Sequence, residues 1–297
     1  MIPISAMTSA YRDRATGLID QPEAIRKCKA AGFDVLDLTL HPMKKPADHT
    51  LAGDDWEYKL EEVLRAKDET GVTFYQTHPD FRPGHIRSYP DSSVEEFFWK
   101  MVYRGLDITA RSGAKWAVIH PVNDPSTLDV DTQLKLNHRV YDDLVDYAAK
   151  LGIGIAFENM VESPKGGPKP HRFVSMPEEL IAVHDSFNCD HVKLCWDFGH
   201  ANTAVPERHP EALRMLGSRL VCTHVDDNNG KKDDHFLPFR GTVCWEEVMP
   251  VLKEIHYPGT LNLEVPFSTY MPGELRDDAV RLQASIARKL SHMAEGL

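Results

Sequence analysis

The feature that most constrains the fold of this chain is an eightfold alternation of short apolar runs with amphipathic stretches. Successive runs start 27 to 43 residues apart, which leaves room in each unit for one strand, one helix and two loops. The runs begin near Pro3, Phe33, Val72, Lys115, Ile153, Val192, Arg219 and Thr260. Eight such units predict an α/β fold in which eight parallel strands close into a (β/α)₈ TIM barrel.

Length and continuity favour one domain. The runs WAVI, IGIAF and VKLCW are almost entirely apolar, as strands covered on both faces should be. The 297 residues suit one barrel of this kind, and no linker or shift in composition interrupts them. We therefore expect a single domain over residues 1–297.

The stretches between the runs have the spacing of helices. In the last stretch, apolar residues recur at steps of three and four and predict the buried face of a final helix. These residues are Leu275, Ala279, Leu282, Ile286, Leu290 and Met293. Earlier in the chain, Ser175-Met176-Pro177-Glu178 predicts a helix start with a capping box and an early proline.

Charge and cysteine usage limit the functional classes. The chain has 34 basic and 45 acidic residues, a net charge of −11, which argues against broad binding to a phosphate backbone and against nucleic acid as a partner. No apolar run reaches the roughly 18 residues that span a bilayer, and we expect no secretory leader. The 5 cysteines form no C-x-x-C pair, so we expect reduced thiols in a cytoplasmic protein.

The ends of the predicted strands carry most of the chemistry. Active sites of TIM barrels lie at the carboxyl ends of the strands. Seven consecutive strands end close to a potential metal-binding side chain: His41, His78, His120, Glu158, Asp197, His224 and Glu264. Glu158, Asp197 and Glu264 follow apolar residues and should face one another across the barrel mouth. Three converging carboxylates repel one another unless a cation neutralises them.

One imidazole completes this predicted metal site. His224 would add a nitrogen ligand to the three carboxylates, a set that suits Mn²⁺ first, with Co²⁺, Mg²⁺ or Zn²⁺ as alternatives. The other strand-end histidines have a second explanation, because a His-Pro pair can simply end a strand. His235 follows a charged run in the long loop after the seventh strand, and that run could equally be a solvated surface.

Six sequence motifs together resemble a known family. They are Phe157-Glu158-Asn159, Asp197-Phe198-Gly199-His200-Ala201-Asn202, His224-Val225-Asp226-Asp227, Asp233-Asp234-His235, Arg240-Gly241-Thr242-Val243-Cys244-Trp245 and Leu263-Glu264-Val265-Pro266. Over essentially its whole length the chain resembles the xylose isomerase-like TIM-barrel superfamily. This superfamily contains sugar isomerases, epimerases, inosose dehydratases and apurinic endonucleases.

The resemblance to the ketose 3-epimerase branch implies roles for individual residues. It implies one divalent metal held by Glu158, Asp197, His224 and Glu264, with Glu158 and Glu264 also acting as the catalytic acid and base. His200 matches a histidine that touches substrate. The remaining expected substrate contacts are His78, His120, His235 and Arg240. The branch has an arginine where this chain has Gly230, and we expect Arg240 to supply that positive group instead.

These roles lead to a functional hypothesis with open alternatives. We expect a metal-dependent isomerase or epimerase that acts through an enediolate on a small keto- or aldo-sugar or polyol derivative. The same site could serve a lyase or dehydratase acting on a keto-sugar or inosose, or a sugar- or metal-binding barrel that has lost catalysis. The resemblance further implies a homo-oligomer. No phosphate-binding loop motif points to a nucleotide cofactor.

The endonuclease branch supplies another alternative. A trinuclear-zinc apurinic endonuclease or phosphoesterase needs nine ligands, and residues of the right type stand at all the matching positions. They are His78, His120, Glu158, Asp197, His200, His224, Asp233, His235 and Glu264. The acidic net charge argues against a DNA-binding groove.

Overall fold

Eight parallel strands close into a barrel in the order of the sequence. The computed structural model describes residues 1–12, 17–41, 43, 49–79, 92–162, 171–267 and 271–297. The strands are β1 (Ile4–Met7), β2 (Val35–Leu40), β3 (Thr73–Pro79), β4 (Trp116–Ile119), β5 (Gly154–Glu158), β6 (Val192–Asp197), β7 (Leu220–Val225) and β8 (Leu261–Leu263). Each strand begins within two residues of its predicted start, so the sequence prediction of a TIM barrel is confirmed.

Helices connect the strands and cover the outside of the barrel. They are α1 (Gln21–Ala31), α2 (Trp56–Thr70), α3 (Ser92–Ser112), α4 (Val130–Lys150), α5 (Pro177–Phe187), α6 (Phe198–Ala204), α7 (His209–Leu216), α8 (Trp245–Glu254) and α9 (Gly273–Glu295). Within the described ranges, none of them is both long and apolar enough to cross a membrane.

The predicted buried face of α9 is wrong in part. Leu275 and Leu282 are 55% and 52% exposed, whereas Leu290 is fully buried as predicted. Ala284 and Ala287, which lie outside the predicted set, are also fully buried. The helix packs against α1, α8 and β1. Small side chains at the contact allow a close approach, so Ala284 and Ala287 lie in the buried face, whereas Leu275 and Leu282 do not.

The predicted capping box is also wrong. The residue before α5 is Met176, which makes no side-chain cap hydrogen bond, although Pro177 does occupy the first turn. The Ser175 hydroxyl instead donates to Glu162 Oε2 at 2.8 Å. The serine that was predicted to cap α5 therefore forms a hydrogen bond within the preceding loop instead. Residues 163–170 of that loop lie outside the described residues.

One side of the barrel interior is polar. Asn262 of β8 and Gln76 of β3 each donate a side-chain hydrogen bond of 3.0 Å to Asp37 Oδ2 of β2. Because β1 lies between β8 and β2, Asn262 can reach Asp37 only through the interior. We call Asp37, Gln76 and Asn262 the polar sector. The opposite side, from β4 to β7, carries Val118, Ala156, Cys195 and Cys222 in an apolar cluster.

Candidate metal centre

Four neighbouring strands bring the predicted metal ligands together. Glu158 ends β5, Asp197 ends β6, His224 lies one residue before the end of β7, and Glu264 directly follows β8. The sheet register pairs Asp197 with His224. Each of the four side chains offers one ligand atom, and these atoms all lie within 4.8 Å of one another.

His224 lies at the centre of this cluster. Its Nδ1 is 2.9 Å from Glu158 Oε1 and 2.7 Å from Glu264 Oε2. The side chains of His224 and Glu158 are 0% and 1% exposed, and that of Glu264 is 15% exposed. The cluster is therefore accessible from the barrel mouth mainly on the Glu264 side.

The electrostatics of the cluster are those of closely packed opposite charges. Burial alone would raise the pKa of Glu158, but the His224 and His120 imidazoles lower it well below its usual range. Burial likewise opposes the charged form of His224, yet Glu158 and Glu264 raise its pKa well above the ordinary value. Burial and the carboxylate of Asp226 raise the pKa of Asp197 well above its usual range.

Asp197 is fixed by hydrogen bonds to its backbone and side chain. The Asn159 amide accepts from Asp197 N at 2.6 Å and donates to Asp197 O at 3.0 Å, which extends the β5–β6 ladder by one step. Asp197 Oδ1 accepts from His200 N at 2.6 Å and so caps α6. Oδ2 is buried and has no hydrogen-bond partner among the described residues.

The donor set fits a divalent cation. Two buried carboxylates, one partly exposed carboxylate and one imidazole supply hard oxygen and borderline nitrogen ligands, a combination that suits Mn²⁺, Mg²⁺, Co²⁺ or Zn²⁺. The unpartnered Asp197 Oδ2 is the kind of buried atom that a cation would satisfy. Glu158, Asp197, His224 and Glu264 would hold the ion.

Two further predicted histidines lie beside Glu158. His120 Nε2 is 3.0 Å from Glu158 Oε2, and His78 Nε2 is 3.9 Å from the same atom. The two rings meet edge to face with their centroids 5.2 Å apart. His78, His120 and Glu158 form a second group with the geometry of a cation site.

His200 and His235 lie on the other side of the cluster and share Asp233. His200 Nε2 is 3.2 Å from Asp233 Oδ2, and His235 Nε2 is 3.3 Å from Asp233 Oδ1. His235 Nδ1 also lies 3.2 Å from Asp226 Oδ2. Gly199 makes room for Asp226, because a Cβ at position 199 would lie 1.9 Å from Asp226 Oδ1. Asp226 is a site residue to which the sequence analysis assigned no role of its own.

Arg240 is the one predicted site residue that the structure keeps apart from the cluster. It is exposed, and its guanidinium lies 5.4 Å from the centre of the Phe236 ring. Arg172, on the loop after β5, is half-buried and was missed. Burial lowers the pKa of Arg172, while the carboxylates of Asp233 and Glu158 act in the opposite direction. Its position inside a Pro/Gly/Lys-rich segment was the only sequence signal.

Comparison with known proteins identifies the family. The fold and the rim of carboxylates and imidazoles define a TIM-barrel protein with a candidate metal centre. A family model described as xylose isomerase-like TIM barrel matches residues 25–288. The chain belongs to this family, which confirms the resemblance inferred from the motifs.

Two of the proteins that this chain is similar to are named as sugar epimerases. A protein of Sinorhizobium fredii, y4fM, is 29% identical over 173 residues, which cover 57% of this chain and 53% of the relative, so the match spans about half of that protein. A D-psicose 3-epimerase of Ruminiclostridium cellulolyticum is 22% identical over 251 residues, 82% of this chain and 77% of that one. The solved structure of 3-keto-D-glucoside 4-epimerase, YcjR, from E. coli superposes with a TM-score of 0.70 at 18% identity, covering 96% of this chain and 100% of that one. This last similarity shows a shared fold.

Proposed function

We propose that this chain is a divalent-metal-dependent sugar epimerase or isomerase acting on a keto- or aldo-sugar or a related polyol derivative. The observation that carries the proposal is the placement of Glu158 and Glu264. They reach His224 Nδ1 from β5 and β8, three strands apart around the rim. Two carboxylates arriving from different sides can exchange a proton with both faces of one substrate carbon, which is what epimerisation requires.

The protein groups have distinct tasks in this proposal. When bound, a divalent ion would polarise a carbonyl and its neighbouring hydroxyl and so make the adjacent C–H more acidic. One of Glu158 and Glu264 removes the proton, and the other returns one to the opposite face. His200, paired with Asp233, orients a hydroxyl. Arg172 is proposed as the positive group that we expected from Arg240.

Solvent-deuterium incorporation tests the proposal directly. Protein loaded with Mn²⁺ is incubated in D₂O with a panel of free and phosphorylated sugars, and products are followed by NMR and mass spectrometry. We expect one deuterium at a carbon next to the carbonyl, together with an isomeric product. A product lighter by one water would identify a dehydratase instead. Absence of exchange with the whole panel would contradict the proposal.

Matched variants assign the two carboxylates. Glu158→Gln and Glu264→Gln should each lower exchange at least about 100-fold, the range of general acid–base catalysis. Glu254→Gln is the control, because Glu254 lies on α8 in an exposed ion pair with Arg214. Metal content per chain is measured for every variant. Exchange that stays within threefold of the wild type in a metal-loaded Glu158→Gln protein would remove Glu158 from the proton path.

A second candidate function rests on two additional groups of ligands. His78, His120 and Glu158 form one, and His200, Asp233 and His235 form the other. These groups favour a trinuclear-zinc phosphoesterase or apurinic endonuclease. About three zinc ions per chain and nicking of abasic DNA would support it. About one metal per chain, with sugar-dependent deuterium exchange, would support the epimerase instead.

A further inference from the structure

The second ring nitrogen of His224, Nε2, lies on the side of the ring away from the proposed metal site. Nδ1 faces Glu158 and Glu264, so Nε2 faces the barrel interior. Nε2 is buried and has no hydrogen-bond partner among the described residues. The nearest carboxylate oxygen on that side is Asp37 Oδ2, at 3.9 Å. Asp37 itself is 0% exposed.

The polar sector holds Asp37 in place. Gln76 and Asn262 donate to the same oxygen, Oδ2, at 3.0 Å each. Asn262 is also the residue that the β7–β8 register pairs with His224. A carboxylate held by two amides inside a barrel is costly unless its charge is offset by a nearby positive group, because burial disfavours the charged form.

We propose that Asp37 is a positioning residue for His224, keeping the ring proton on Nε2 so that the Nδ1 lone pair faces the cation. This inference rests on the metal site of the proposed function but not on which sugar reaction that site performs. At 3.9 Å the carboxylate is too distant for a direct hydrogen bond and acts through its charge. Both groups are fully buried, so water and salt screen this attraction little.

Such a partner should strengthen metal binding. Carboxylates behind a ligating histidine fix its tautomer and raise its basicity, and their loss typically weakens metal affinity about 10- to 100-fold. Asp37→Asn retains the size of the side chain and a hydrogen-bond acceptor for the two amides while removing the charge. We therefore expect Asp37→Asn to raise the dissociation constant for Mn²⁺ and Co²⁺ at least about tenfold.

The experiment is a metal titration without sugar. Metal-free wild type, Asp37→Asn and Cys195→Ala are titrated with Co²⁺ and Mn²⁺ at pH 8 against a competing chelator. Cys195→Ala is the control because it alters the apolar side of the same barrel interior without removing a carboxylate. It should bind both ions within threefold of the wild type. A dissociation constant of Asp37→Asn within threefold of that of the wild type would overturn the proposal.

Two additional measurements separate positioning from a merely structural role. The visible spectrum of bound Co²⁺ should change in Asp37→Asn, because the spectrum reports the ligands and not the stability of the fold. An unchanged spectrum would contradict the proposal. If Asp37→Asn does not fold, Asn262→Ala, which removes one amide donor and keeps the carboxylate, should weaken Co²⁺ binding more than threefold, and a smaller effect would count against it.

The two proposals fail in different ways. Tight metal binding that depends on Asp37, with no sugar turned over, would refute the epimerase and leave the role of Asp37 intact. Deuterium exchange on a sugar, with metal affinity independent of Asp37, would support the epimerase and refute the role of Asp37.

Discussion

Single residues at the barrel mouth show an excess of acid over base. Five carboxylates approach one another there, and the three imidazoles of His200, His224 and His235 only partly neutralise them. The carboxylates are those of Glu158, Asp197, Asp226, Asp233 and Glu264. Carboxylates this close are stable together only when protons or a cation offset their charge. An uncharged, polyhydroxylated substrate would not offset this negative charge. An additional positive side chain near the mouth would therefore help both to balance the charge and to bind substrate hydroxyls.

Arg172 is the residue for which we predict an effect on substrate binding. Arg172→Gln should raise KM for the sugar about tenfold or more and leave kcat within threefold, because a hydrogen bond from a charged group contributes about 1.5–3 kcal/mol. Steady-state kinetics on the substrate found by deuterium exchange checks this. Arg208→Gln, an exposed arginine paired with Glu178, is the control. An unchanged KM would show that Arg172 does not contact the substrate.

At the scale of elements, the junction of β5 and β6 sets the position of Asp197, one of the proposed metal ligands. The side chain of Asn159 acts there as a ladder partner for Asp197. A similar clamp occurs after β4, where Asn137 bonds Val122 N and O at 2.9 and 3.0 Å. The two asparagines therefore form a matched pair, and only Asn159 binds a proposed metal ligand.

We predict that the two clamps differ in function and not in stability. Asn159→Ala and Asn137→Ala should each lower the free energy of unfolding by about 2–3 kcal/mol. Each substitution removes the two hydrogen bonds of its clamp and leaves one buried backbone N–H and one buried C=O unpaired. Only Asn159→Ala should weaken Mn²⁺ binding. Urea unfolding and metal titration check the two parts. Equal metal affinity in both variants would mean that Asp197 is held without the clamp.

The loop after β5 carries a pH-dependent contact. His171 lies between two carboxylates, with Nδ1 at Glu162 Oε2 and Nε2 2.8 Å from Glu179 Oε1. Burial lowers the pKa of His171, but the hydrogen bonds and charges of Glu179 and Glu162 outweigh it and raise the pKa above its ordinary value of 6.5.

This contact should stabilise the protein in acid more than in base. Because the folded pKa is the higher one, the contribution is complete below pH 6.5 and disappears as the pH rises through the folded pKa. His171→Gln should therefore cost about 2 kcal/mol at pH 6 and less at pH 9, measured by urea unfolding. His184→Gln is a control with the opposite pH dependence. Burial lowers the pKa of His184, so the stability that its neutral form contributes is lost as the pH falls. A cost of His171→Gln that grows with pH would contradict this assignment.

At the scale of the whole molecule, metal binding and folding should be linked. The four proposed ligands come from the ends of the last four strands, so the site exists only when these strands are assembled. Mn²⁺ at 100 times its dissociation constant should raise the free energy of unfolding by about 2.7 kcal/mol. Urea unfolding with and without Mn²⁺ measures this. Asp197→Ala should abolish the increase, whereas Asp190→Ala, at an exposed acid, should retain it.

The barrel could be predicted from sequence because its signal is repeated along the chain. Eight apolar runs at regular spacing fix the strands, and strand ends in a closed barrel must share a rim. The shared rim also predicted that Glu158, Asp197 and Glu264 would converge. This prediction depended only on strand order and not on side-chain geometry.

Other features depend on contacts that no local pattern contains. Asp37 looked like an ordinary strand residue, because its partners Gln76 and Asn262 are distant in sequence and meet it only inside the barrel. The exposure of Leu275 and Leu282 on α9 was not predicted, because close packing of the helix favoured the small side chains of Ala284 and Ala287 in the contact. Arg172 was missed because its segment lacks a periodic pattern that would orient a side chain.

The Asp197 junction has a consequence for how this family can vary. Asp197 is both the last residue of β6 and the cap of α6, so strand and helix meet without a connecting loop. One inserted residue there would move either the carboxylate or the helix. Among the described residues, no side chain both ends β5 or β7 and caps the helix that follows it. We therefore expect lineages that adopt new substrates to lengthen, shorten and diverge at the loops after β5 and β7, while the β6–α6 boundary keeps a constant length.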